Sequence, residues 1–308
     1  LLRSTTYDGT TTGASLSTGT KKLGTGSVSF DGSNDYGEIP GFITNKNSIK
    51  SISCWFNVTM TADKTLYSWS DTDSGGGHSY LRMGIYTSGS YPNVLDIVFR
   101  ENGTTKWQIF SANNSFSGSA WHHFVMTHDG TTPRFYIDGV DHTAGATWHD
   151  TTDKTRWLDD DSTLDNFYIA AQSYNSAGIT RFGQFYIDDL AVWSTVLPLG
   201  TDEDTVDSVR WLYNTGTGRL ANTCATSSLI SYHGMDSTTL TDENSVTKIP
   251  ENTLFEETDT FRTYWLQDNK WKGYITRGCF GGGNTGSLSN VIDYITIQSI
   301  GNAADFGD

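Results

Sequence analysis

Along most of the chain, apolar residues alternate with polar ones or run together, between clusters of Gly, Asn, Asp and Ser. That pattern predicts β-strands joined by turns, because successive strand side chains point to opposite faces and the punctuating residues favour turn geometry. Strands are expected at 27–30, 51–56, 94–99, 107–110, 121–127, 134–137, 167–171 and 185–193. Asp138-Gly139, between Phe135-Tyr136-Ile137 and Val140, predicts a tight hairpin, since such a turn demands positive φ and glycine accepts it. Many short strands of this kind predict an all-β fold, a two-sheet antiparallel jelly-roll sandwich. A helix is predicted at 205–213, where Val206, Val209, Leu212 and Tyr213 share a face and Asp202 and Asp204 precede the N-terminus.

The texture changes after Gly216-Thr217-Gly218. We therefore divide the chain into a sandwich at 1–218, a β-rich connector at 219–274 and an incomplete Gly-rich unit at 275–308. The last piece is too short to bury a core of its own.

Composition narrows the function. The net charge is −15, and only 7 of the 35 acidic residues are Glu. Affinity for phosphate is carried by clustered Lys and Arg, so a nucleic-acid partner is not expected. The longest apolar run, Phe167 to Ala171, falls far short of the ~20 residues of a membrane helix, so no membrane insertion is expected. Cys54, Cys224 and Cys279 lie far apart without metal-ligand spacing, and Cys54 reads as a small buried hydrophobe.

Four stretches, in order, resemble the laminin-G-like, concanavalin A-like jelly-roll superfamily. They are Ser29-Phe30-Asp31-Gly32-Ser33-Asn34-Asp35-Tyr36, Ser51-Ile52-Ser53-Cys54-Trp55-Phe56, Trp121-His122-His123-Phe124-Val125 through Asp138-Gly139, and Phe185 to Trp193. The run Pro250-Glu251-Asn252-Thr253-Leu254-Phe255-Glu256-Glu257-Thr258-Asp259-Thr260, with Tyr264-Trp265 and Trp271 following, resembles a connector in structural proteins of marine tailed phages. Residues 276–308 resemble one unit of a Gly-rich, kelch-like array. These resemblances imply a non-enzymatic virion protein, a fibre or surface decoration, whose jelly roll contacts glycans or neighbouring subunits. The alternatives are a secreted or cell-surface adhesin of a marine microbe and, third, a glycan hydrolase. A virion or extracellular location and a homo-oligomeric or virion assembly follow from the same resemblance.

Hydrolases of this fold space their acids along one strand so that alternate carboxylates share a cleft. None of the seven Glu residues sits in such a run, and Asp188-Asp189 are adjacent, so the expectation is no catalysis. His122-His123 belongs to the superfamily hairpin and is expected to be structural. The resemblance implies one structural Ca²⁺ between an early loop and the final strand. Asp188 matches its carboxylate, and Asp31, Asn34 and Asp35 supply the early loop. Asp188 is expected to share its strand face with Leu190 and Val192. Glycan stacking calls for exposed aromatics with polar neighbours, and Trp148, Trp157, His78, Tyr80 and Tyr91 qualify by composition.

Overall fold

The computed structural model describes residues 7–58, 64–72, 77–86, 90–174 and 178–244, together with strand segments between 254 and 305. The chain forms two compact units, Leu1–Val246 and Thr247–Asp308.

The first unit opens with β1 (Thr10–Thr12), β2 (Ser15–Ser17), β3 (Ser27–Asp31) and β4 (Tyr36–Glu38). A one-turn helix, α1 (Gly41–Thr44), precedes β5 (Ser51–Val58), β6 (Lys64–Ser70), β7 (Tyr80–Tyr86), β8 (Val94–Glu101), β9 (Thr104–Phe110) and β10 (Trp121–His128). Then come β11 (Pro133–Ile137), β12 (Val140–Asp141), β13 (Thr147–Asp150), β14 (Asn166–Ile169), β15 (Gln172–Ser173), β16 (Ile179–Thr180) and β17 (Gln184–Trp193). Helix α2 (Val209–Tyr213) and β18 (Leu229–His233) follow.

These strands build the expected antiparallel sandwich. One sheet has the order β1-β4-β14-β6-β7-β8-β9-β13, and the other β12-β11-β10-β5-β17-β3-β2, with β18 also pairing β17. Between them lies the main core, which includes Phe56, Trp69, Phe99, Trp107, Phe124, Phe167 and Ile187. A second cluster, with Val125, Ala191, Trp193, Val209, Leu212 and Cys224, seals the other face of the second sheet under α2 and its flanking loops. Burial on both sides explains why every residue of β5 is buried, Cys54 included.

The hairpin turn is as expected, with Asp138 at φ 52° and Gly139 at φ 72°. The helix is shorter than its apolar pattern suggested. Asp207 adopts φ 59°, and the extended Ser208 caps the helix by accepting the Trp211 N–H at 3.1 Å, so α2 starts only at Val209. Past the predicted boundary at 218, β18 pairs with β17 and the compact unit runs on to Val246. In the second unit, Leu254–Glu257, Arg262–Gln267 and Lys270–Gly273 form one three-stranded antiparallel sheet. Arg277–Gly281, Ile292–Thr296 and Ala304–Asp305 form another.

Candidate functional site

Alternation divides each strand of the first sheet between core and exterior. In β7, Leu81, Met83 and Ile85 enter the core, which leaves Tyr80, Arg82, Gly84 and Tyr86 on the outward face. In β8, Leu95, Ile97 and Phe99 enter the core, leaving Val94, Asp96 and Val98 outward. Register places Arg82 beside Ser68 on β6 and Val98 on β8, with Gln108 of β9 next to Val98.

At the centre of this face Arg82 Nη2 pairs with Asp96 Oδ2, while Gln108 Nε2 donates to Asp96 Oδ1 at 2.8 Å. Gly84 makes room for this pair, because a Cβ there would lie 3.2 Å from the Arg82 guanidinium. Arg82 Nε is nevertheless buried without a hydrogen-bond partner. So is the whole side-chain amide of Gln172, at the start of a strand that follows Ala171, whose carbonyl accepts Ser68 Oγ at 2.8 Å.

Aromatic rings flank the centre. At one end His78 stacks on Tyr80 with centroids 5.9 Å apart and meets Tyr174 edge-on at 4.6 Å. At the other, Tyr91 lies 6.0 Å from Tyr86 and 5.0 Å from Phe110, and His149 lies 4.1 Å from Phe110. Six residues of extended strand, about 20 Å, separate Tyr80 from Tyr86. Three of the five aromatic candidates therefore share one face.

The two tryptophans do not join them. Trp157 is 1% exposed, donates its indole N–H to the Ile49 carbonyl at 2.7 Å and stacks on His128, so neither ring face is open to a sugar. Trp148 packs against the core from β13, with the Lys154 amine 4.8 Å over its ring.

The four residues expected around calcium are not assembled either. Asp31 pairs with Gln184 in register, four residues along β17 from Asp188, which is about 13 Å. Asp35 accepts the Asp31 N–H at 3.0 Å and Asp31 accepts the Ser33 N–H at 2.7 Å, so this loop closes on itself. Asn34 is exposed. Asp188 instead faces Lys22 and Leu23, while Asp236 accepts the N–H groups of Thr25 and Gly26. The Asp188 Oδ2 accepts the Lys22 and Leu23 N–H groups at 2.7 and 2.9 Å, and its Oδ1 is buried without a partner. Burial, aided by the negative charge of Asp236, pushes the Asp188 carboxyl up to about 7. Among the described residues no group of three or more His, Cys, Asp or Glu is arranged to hold a metal. The fit to calcium is thus an orphan carboxylate oxygen with a second carboxylate nearby.

His122 and His123 point apart, as neighbours in a strand must. His122 Nδ1 donates to Asp138 Oδ2 at 2.6 Å, and its Nε2 accepts the Ser117 N–H at 3.1 Å, which ties the 117 loop to the hairpin. His123 lies against Trp55 on the opposite side, within 2.9 Å of Ser53 Oγ.

Residues 31–200, more than half the chain, match the sequence profile of the concanavalin A-like lectin/glucanases superfamily. The chain belongs to that superfamily. No curated protein matches it. Among solved structures, it is similar to the CBM40 module of a Ruminococcus gnavus IT-sialidase (16% identity, TM-score 0.44, covering 68% of this chain and 98% of that one). A heptameric SAP-like pentraxin from Limulus polyphemus is 12% identical with a TM-score of 0.39, covering 65% of this chain and 85% of its own. Tailspike protein 2 of the Escherichia coli O157:H7 bacteriophage CAB120 is 12% identical with a TM-score of 0.47, covering 76% of this chain and 30% of its own.

In this superfamily member the outward face of the first sheet combines flat rings, a fixed charged pair and polar atoms that the fold leaves without partners. The centre of this face is closed to solvent, with Asp96 0% and Arg82 7% exposed, and its rim at Tyr91 presents a ring on which a sugar can stack. Sequence reasoning found His78, Tyr80 and Tyr91 but missed Arg82, Asp96, Gln108 and Gln172. The available signal was Tyr80-Leu81-Arg82-Met83-Gly84-Ile85-Tyr86, a strict alternation that sets polar and aromatic groups on one side of a strand.

Proposed function

We propose that this chain is a non-catalytic carbohydrate-recognition protein and that the outward face of its first sheet holds the glycan. The carrying observation is the set of buried polar atoms on or over that face with no partner in the fold: Arg82 Nε, both His78 ring nitrogens and the Gln172 amide. These atoms lie beneath the surface, so they mark a polar floor under the face, and the contacts to a sugar fall to the rings at its rim, Tyr91 above all, which is 39% exposed. The non-catalytic reading rests on Asp96. Its two oxygens serve Arg82 and Gln108, so the carboxylate at the centre of the face is not available as nucleophile or base.

The resemblance of residues 250–271 and 276–308 to phage structural modules supports an attachment or decoration role on a virion. The same resemblance supports a homo-oligomer. A structural Ca²⁺, if held, belongs at Asp188 and Asp236 and would fix residues 22–26 against β17.

A glycan array tests the recognition reading, followed by incubation of any bound glycan and assay for new reducing ends. Binding that is lost in Tyr80→Ala and Tyr86→Ala, without new reducing ends, is expected. Release of reducing ends would replace recognition by hydrolysis.

A further inference from the structure

His78, Tyr80 and Tyr174 occupy one corner of the outward face, and two arginines stand beside them. Arg100 lies directly across from Tyr80 in the β7–β8 register. It is half-buried, and its Nε is buried without a hydrogen-bond partner. Arg181, exposed and at φ 55°, sets its guanidinium 5.0 Å over the Tyr174 ring. Among the described residues neither arginine has a carboxylate within ion-pair distance, whereas Arg82, Arg134 and Arg156 each do.

The surroundings sharpen the contrast. His78 is 5% exposed, and neither ring nitrogen has a partner. Burial and the nearby Arg100 lower its pKa, against a smaller opposing effect of Asp71, so the ring stays neutral and the positive charge of this corner comes from the two arginines. In a chain of net charge −15, two guanidiniums left unneutralised beside a buried imidazole and two tyrosine rings mark a place built for a negative group. A guanidinium presents its donors in a planar fork that matches a carboxylate or a sulfate.

We infer that the corner formed by Arg100, Arg181, His78, Tyr80 and Tyr174 binds the anionic substituent of an acidic sugar, a uronate carboxylate or a sulfate ester. The inference rests on the outward face being the carbohydrate-binding face and adds the class of sugar. The overall charge of −15 repels polyanions at long range, so binding of an acidic glycan must be local and cannot be a general attraction to the surface.

Isothermal titration of the full chain tests it. The probes are oligogalacturonate and its carboxyl-reduced form, and dextran sulfate against dextran. One acidic probe is expected to bind while its neutral counterpart does not, and the probe that binds tells carboxylate from sulfate. Arg181→Ala and Arg100→Ala are each expected to weaken that binding about tenfold or more. Arg134→Ala, on the second sheet, should leave it unchanged. Because Arg100 is half-buried, near-ultraviolet circular dichroism confirms the folding of its variant, and the exposed Arg181 supplies the second variant. Equal binding of acidic and neutral probes would overturn the anionic inference while leaving carbohydrate recognition intact. Acidic binding undiminished in both arginine variants would show the corner to be wrong. No binding of any probe here or on the glycan array would remove both.

Discussion

Asp189 follows Asp188 directly in β17, yet the hydrogen-bond partners of both carboxylates lie on the same side of the second sheet. Asp188 takes the N–H groups of Lys22 and Leu23, and Asp189 takes the N–H of Ala221 at 3.2 Å. The cause is a bulge. Asp189 adopts φ 54°, and the register with β5 shifts between Asp188 and Ala191. The extra residue reverses the alternation, so that Ile187 and Leu190 both enter the main core and Asp188 does not share a face with Leu190 and Val192. Two adjacent acids are thereby kept out of the main core, though both stay buried on the other side of the sheet.

That arrangement makes stability respond to pH, and a response to calcium is expected where Asp188 is a ligand. Burial pushes Asp188 up to about 7, and burial together with the charges of Asp188 and Glu243 pushes Asp189 up to about 8, from an ordinary 3.8. For acids raised in this way the folded state holds its protons longer than the unfolded state. Their contribution is complete below pH ~4 and is lost as pH rises through 7 to 8. Calcium is expected to restore part of that loss, raising the melting temperature at pH 8 and having little effect at pH 5. Asp188→Asn should abolish the calcium increment and, without calcium, be at least as stable as the parent at pH 8. Calorimetry with calcium and with chelator checks this, and an unchanged increment in the variant would exclude Asp188 as a ligand.

His123 gives the opposite sign. Burial lowers it to about 3 from 6.5, so the folded state refuses a proton that the unfolded state accepts. Its stability contribution is complete above pH 6.5 and falls as pH drops toward 3. His123→Gln, which can still bond Ser53, is expected to lose less stability than the parent between pH 6.5 and 4, by about 1.4 kcal/mol per pH unit. Urea titrations at stepped pH measure the difference.

Asp138 holds the hairpin through two bonds, one to the His122 ring and one to the His123 N–H at 2.8 Å. It does so at a positive φ that alanine adopts poorly. Asp138→Ala is expected to cost about 2–4 kcal/mol, with Asp138→Asn costing less. Denaturant midpoints for the two variants rank them.

The second unit bears on assembly. Each of its three-stranded sheets has edge strands, such as Lys270–Gly273 and Arg277–Gly281, whose outer backbone groups call for partners. Light scattering of the purified chain is expected to give a multiple of 33.9 kDa. A monodisperse monomer would contradict the assembly reading.

The sandwich was legible because its strands announce themselves by alternation, and β5, β10 and β17 sit where the sequence placed them. The bulge at Asp189 was not legible, since no glycine marks it and only the register with β5 reveals it. Trp157 and Tyr91 look alike as aromatics among polar residues. The fold separates them by giving the Trp157 indole a buried carbonyl partner and leaving Tyr91 39% exposed. Arg82 and Arg100 read as solvated charges in a linear sequence. Their meaning appears only when neighbouring strands set them beside Ser68, Tyr80 and Val98.

Hydrogen exchange with a bound glycan tests the central claim most directly. Protection should concentrate in Tyr80–Tyr86 and Val94–Glu101, the two adjacent strands that carry the Arg82–Asp96 pair. Protection confined to residues 196–225, on the far side of the second sheet, would contradict it.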